Sequence, residues 1–156
     1  MSRRKTPKKR RILEDPIYNS TLVSSFINKI LIDGKRNTAQ YIFYEVMKNI
    51  KETTHQDSLS VLKKAVSNVA PVVELKSRRV GGATYQVPIE ISTERGNSLA
   101  LRILIKSARN RAGRNMIIRL GNEIVDAYNN TGISVKRKEE IHRMSEANKA
   151  FSSFKF

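Results

Sequence analysis

No cysteine occurs among the 156 residues, which removes disulfides, thiolate metal sites and cysteine nucleophiles together. Histidine is almost as scarce. His55 and His142 stand far apart, and neither has a second histidine at metal-ligand spacing, which argues against a zinc or redox enzyme. No run approaches the ~18 apolar residues of a membrane span, and the first residues hold no apolar h-region, so neither insertion nor secretion is expected. Also missing are a phosphate-cradling GxxxxGK, a dinucleotide fingerprint and a nucleophile with a base beside it. Acid is in short supply: 14 Asp and Glu face 30 Lys and Arg.

The resulting formal charge of +16 attaches the chain to polyanions. Nucleic acid leads as the partner, ahead of an anionic membrane surface and then acidic protein. With 39% hydrophobic residues and this length, one globular domain with a real core is expected. Ahead of it, residues 1–11 contain Arg3, Arg4, Lys5, Lys8, Lys9, Arg10 and Arg11 and no acid, with Pro7 interrupting any helix. Such an arm repels itself and has nothing apolar to bury, so it is expected to be disordered when free and to order against phosphate. A solvated tail or a localisation signal is the plainer alternative.

Residues 72–91 break an otherwise helical pattern. Tyr85, Val87, Ile89 and Ile91 alternate with Gln86, Pro88 and Glu90, and Gly81-Gly82 supply the positive φ angles of a tight turn, so the segment reads as a β-hairpin. Pro88 has no N–H for a ladder, which suits a two-stranded ribbon with free edges. The glycine pair as a small anion nest is the lesser alternative. Lys76, Arg78 and Arg79 bring cations to the ribbon.

Around it the spacing predicts six helices. The first follows a Ser20 N-cap and ends at Asp33-Gly34; the second, about 37–51, carries Ala39, Ile42, Phe43, Val46, Met47 and Ile50 on one face. The third starts near Asp57 and stops before Pro71. After a capping and loop region at 93–97 containing Gly96, the fourth runs from about 98 to 112, the fifth from about 115 to 128 and the sixth from about 135 to 150. The expected architecture is mainly α: a six-helix bundle, a two-stranded β-hairpin protruding between helices three and four, and the basic N-terminal arm.

Cations recur along this framework. Lys35 and Arg36 follow the first helix; Arg102, Lys106 and Arg109 form a stripe on the fourth; Arg114 and Arg119 continue it, with no acid between Gly96 and Gly121. Lys136, Arg137 and Lys138 open the sixth helix, where Glu139 stands four residues before Arg143, a favourable surface pairing. A basic stripe is as readily a solvated face as a phosphate track. Separated clusters on one small body, however, suit a folded RNA, which is read largely by shape. Tyr85 can stack on a base, though packing on the hairpin face is the favoured role. An architectural DNA-binding ribbon is the runner-up. An RNA-modifying enzyme rests only on Glu90, Glu94 and His142, with Asp126 and His142 as residues that could meet in space.

KSRRVGGATYQVPIE at residues 76–90 closely resembles the signature of the small-subunit ribosomal protein seven family, bacterial and plastid type. DPIYNS at 15–20, DGKR at 33–36, GRNM at 113–116 and KRKEEIHRMSEANKAF at 136–151 follow in the family's order, so the resemblance covers essentially the whole chain. It implies a non-enzymatic protein without cofactor, metal or small-molecule substrate, organised as a basic arm at 1–11 and one helical rRNA-binding domain at 12–156. Proteins it resembles bind early to the 3′ major domain of small-subunit rRNA and nucleate assembly of the head. Their arm, the loop after the first helix and the hairpin base contact rRNA, which implies those roles for Arg3 to Arg11, for Lys35 and Arg36, and for Lys76, Arg78 and Arg79.

The family's hairpin tip projects toward exit-site tRNA and the mRNA path, which falls here on Val80, Gly81, Gly82, Ala83, Thr84 and Tyr85. Small-subunit ribosomal proteins eleven, nine and thirteen are the implied protein neighbours. The chain departs from the family at Ser145, where Ala is usual, at Ile103, where Trp is common, and in residues 152–156, which lack an expected His. The opening Met-Ser-Arg-Arg and the GRNM segment look more like plastid members, and no transit peptide precedes them. A plastid-encoded protein of the stromal ribosome is therefore expected, with the bacterial cytoplasm as the alternative.

Overall fold

Asp57 and Asn115 show how local chemistry starts the helices. In the computed structural model, which describes residues 11–154, the Asp57 carboxylate accepts from the Ser60 N–H at 3.0 Å and the Asn115 side chain accepts from the Ile117 N–H at 3.0 Å. Six helices form among the described residues: α1 (Thr21–Ile30), α2 (Arg36–Thr54), α3 (Ser58–Val69), α4 (Thr93–Asn110), α5 (Met116–Tyr128) and α6 (Gly132–Ala147). Strands β1 (Val73–Val80) and β2 (Ala83–Glu90) lie between α3 and α4, and a 3₁₀ turn, Lys149–Phe154, follows α6.

The core is built where the apolar stripes meet. α5 packs against α2, α3, α4 and α6, with Leu120 and Ile124 fully enclosed. Phe26 of α1 and Phe43 of α2 bring their rings to 5.3 Å, and Leu62 and Leu104 complete the interior from α3 and α4. Losing one such side chain to alanine removes both transfer free energy and packing, about 2–5 kcal/mol.

The hairpin register pairs Val73 with Glu90 and Arg78 with Tyr85, ending at Val80 opposite Ala83. Gly81 and Gly82 both have positive φ, +57° and +89°, as a type I′ turn demands. The Ile91 N–H donates to the Val72 carbonyl at 3.1 Å, and strict alternation from that pair makes Leu75–Pro88 a non-hydrogen-bonded pair. Pro88 therefore points its nitrogen outward and costs the ladder nothing. Val87 is fully buried, and Ile89 and Tyr85 are half-buried on the same face.

Several expectations are corrected. Residues 93–97 are not a loop: α4 starts at Thr93, and Gly96 is buried inside its second turn. The glycine serves close approach, since a Cβ there would stand 3.1 Å from the Pro71 carbonyl oxygen. α6 starts three residues before the predicted 135 and gives way after Ala147 to the 3₁₀ turn. No Glu139–Arg143 bridge forms among the described residues; Arg137 pairs instead with Glu140 at 2.6 Å, three residues on. Of the predicted arm, residues 1–10 lie outside the described residues, and Arg11 alone is described, as exposed.

Candidate nucleic-acid interface

The fourth helix organises the cations. Arg102, Lys106 and Arg109 are exposed on it, while Leu101, Leu104, Ile105 and Ala108 face the core. Arg109 also reaches α1: its Nη2 donates to the Ile30 carbonyl at 3.1 Å, satisfying a carbonyl at that helix's C-terminal end. Between the two helices lies a groove of about 410 Å³ lined by Lys29, Arg102, Ile105, Lys106, Arg109 and Asn110. A second groove, about 820 Å³, continues along α1 and α4 toward Arg11.

Lys29 is a member that the sequence reading passed over. Its Nζ donates to Ser98 Oγ at 3.1 Å, and its pKa is lowered, first by burial and then by Arg102 and Arg95. Three cations thus crowd one spot, an arrangement that an anion relieves. The sequence signal was a lysine in the last turn of α1, indistinguishable there from an ordinary favourable partner of the helix dipole.

At the hairpin base, Glu74 accepts from Arg95 and pairs with it at 3.1 Å, while Lys76 lies 3.4 Å from its other oxygen. Arg78 and Arg79 are exposed on the distal half of β1, opposite Tyr85 and Thr84. Gly81, Gly82, Ala83 and Thr84 are exposed at the tip. Tyr85 sits with its ring 5.1 Å from Phe151 of the 3₁₀ turn, so it packs the hairpin against the body as favoured over stacking outward. Lys35 and Arg36 are exposed where α2 begins.

Other predicted cations have structural engagements. Arg119 Nη1 donates to the carbonyls of Arg109 at 3.0 Å and Arg111 at 3.4 Å, closing the α4–α5 connection. Arg137 is held by Glu140, whereas Arg114, Lys136 and Arg143 are exposed. Lys138 donates to the Asn68 carbonyl at 2.7 Å and so ties α6 to the end of α3.

The residues weighed for catalysis do not converge. Asp126 pairs with Arg111 at 2.6 Å, and His142 Nε2 instead accepts from the Val72 N–H at 3.2 Å. Glu90 ends β2 and Glu94 lies in the first turn of α4. Among the described residues no group of three His, Asp or Glu can hold a metal ion, and no helix is long and apolar enough to cross a membrane.

The comparisons with known proteins agree with a basic, non-catalytic surface. The chain is 58% identical to small ribosomal subunit protein uS7c of Euglena gracilis and equally to that of Ostreococcus tauri, over the full length of each chain. It is 50% identical to small ribosomal subunit protein uS7 of Petrotoga mobilis, over 99% of both chains. The family described as ribosomal protein S7p/S5e matches residues 2–149, and the chain belongs to it.

Proposed function

We propose that this chain, a structural and non-enzymatic constituent of the small ribosomal subunit, binds the 3′ major domain of small-subunit rRNA and nucleates assembly of the subunit head. The observation that carries the reading is the cationic stripe Arg102, Lys106 and Arg109 of α4 joined through Lys29 to α1, with Glu94 as the one acid at the start of that helix, because phosphates on several RNA helices can engage the stripe at once. Residues 12–156 act as one rRNA-binding domain and residues 1–11 as its arm. The arm's contacts come from Arg3, Arg4, Lys5, Lys8, Lys9, Arg10 and Arg11; the body's come from Lys35, Arg36, Lys76, Arg78, Arg79, Arg102, Lys106, Arg109, Arg114, Arg119, Lys136, Arg137 and Arg143.

Arg109 keeps spare donors while bonded to the Ile30 carbonyl, since a guanidinium carries five N–H groups. The tip, residues 80–85, lies near exit-site tRNA and the mRNA path, and small-subunit ribosomal proteins eleven, nine and thirteen are neighbours. Relatives from plastid-bearing organisms and from bacteria are both similar to the chain. The plastid-type names of two of them favour the stromal ribosome over a bacterial cytoplasm.

Quantitative binding of the full chain to a transcript of the 3′ major domain tests the proposal. Binding that survives competition by duplex DNA at equal nucleotide concentration is expected. Displacement by the duplex would instead favour an architectural DNA-binding protein.

A further inference from the structure

A groove on the other side of α4 combines apolar and cationic surface. It holds about 580 Å³, within the size range of small-ligand sites, and lies between the base of the hairpin, α4 and α6. Ile103 of α4 and Ile141 and Met144 of α6 contribute its apolar surface, with Leu75 closing it from β1. Met144 is 40% exposed, a large apolar side chain left in solvent on a strongly charged protein. Arg102, Lys106 and Arg137 line the same groove, Arg137 in an exposed pair with Glu140, and the groove's own acid, Glu74, is engaged by Arg95 and Lys76.

We infer that this groove receives the base of one unpaired rRNA nucleotide, whose flanking phosphates lie on Arg102, Lys106 and Arg137. The inference rests on the rRNA-binding reading above. Charge complementarity selects the occupant. Arg102 and Lys106 line this groove and also the cationic groove against α1, so a polyanion following α4 passes from one to the other. They stand four residues apart, about 6 Å along the axis. An apolar floor has nothing to offer a phosphate, but it desolvates the face of a base turned out of its stack. Ser107 and Asn110 on the wall supply polar groups for a base edge.

The test uses the full chain and a transcript of the 3′ major domain of small-subunit rRNA, with base-reactive probing of the complex. Wild-type protein is expected to protect an isolated unpaired base as well as its backbone footprint. Met144→Glu places a carboxylate in the groove and is expected to weaken binding about tenfold, in the range of a lost base contact, and to restore that base's reactivity. Ile118→Glu makes the same charge change at a 58% exposed residue on the α2–α5 side and is expected to leave that base protected.

Equal affinities and footprints for the two variants would overturn the inference, as would protection of the backbone alone. So would recovery of the groove in contact with protein and not RNA in assembled subunits. Failure of wild-type protein to bind the transcript at all would instead sink the rRNA reading itself. A second readout uses the absence of tryptophan from the chain. Ile103→Trp puts a single emitter in the groove; quenching on addition of the transcript supports the inference, and unchanged emission with a bound transcript overturns it.

Discussion

Burying the Asp15 carboxylate removes its hydration, and three donors replace it: the N–H groups of Ile17 and Tyr18, each at 3.1 Å, and the Tyr44 hydroxyl at 2.7 Å. This links the segment before α1 to α2. Tyr44 is pushed up to about 12, first by burial, then by the hydrogen bond and charge of Asp15, because ionising it would set an anion beside an anion. A raised folded pKa means stability fully present below the ordinary tyrosine value of 10.0 and lost as pH rises toward 12. Urea unfolding of the wild type should therefore show a loss between about pH 10 and about pH 12 that Tyr44→Phe lacks. Matching pH profiles for the two proteins would contradict that assignment.

Glu123 is the other informative single residue. Fully buried, it accepts from Arg111 Nη1 at 2.7 Å and from the Ser134 N–H at 2.8 Å, while Arg111 Nη2 holds Asp126. Asp126, then burial in opposition, and Glu123 act on Arg111, whose pKa is raised overall. Removing one partner of such a set leaves a poorly compensated charge, so Glu123→Ala should lower unfolding free energy by about 3–5 kcal/mol, measured by urea titration. Ser145 makes the opposite case. Its hydroxyl is buried with no hydrogen-bond partner, and Ser145→Ala should raise stability by about 1 kcal/mol. A lower urea midpoint would show that the hydroxyl has a partner in solution.

At the scale of elements, the hairpin divides into a stem that carries charge and a tip that carries shape. Its lower half is fastened to the body where His142 receives the Val72 N–H and Glu74 binds Arg95, and Tyr85, nearer the tip, packs on Phe151. Arg78, opposite Tyr85, and Arg79 are exposed, and exposed charges contribute little to stability. Arg78→Ala combined with Arg79→Ala should weaken affinity for the 3′ major domain transcript while leaving the melting curve unchanged. Filter binding at wild-type affinity would rule the pair out as rRNA contacts. The hairpin was legible as an element because a period of two and a double glycine admit few other conformations. Its attachment was not, since Phe151 and His142 are distant in sequence and carry no pattern that points to it.

For the whole molecule, +16 on one small body makes binding strength a matter of released counterions. Each phosphate engaged should add roughly 0.7–0.9 to the slope of log affinity against log salt, so a steep dependence is expected for the transcript. A flat response would leave the distributed cations without a role in binding. The six-helix plan was readable because apolar spacing reports which face each helix buries. The ends of α4 and α6 were misplaced because glycine reads as a breaker in isolation. Gly96 is instead required where the backbone of Pro71 comes close, a fact that only packing supplies.

Sequence by itself determined the strong positive charge, the absence of thiol chemistry and the order of the six helices and the hairpin, since charge, composition and periodicity are local properties. The tertiary structure decided which cations are shared with the fold and which remain outward. Lys29 became part of the basic face, while Arg119 and Lys138 bonded carbonyls of neighbouring segments. The reason is that a side chain's availability depends on what other elements bring within hydrogen-bond reach, and those elements lie up to 79 residues away along the chain.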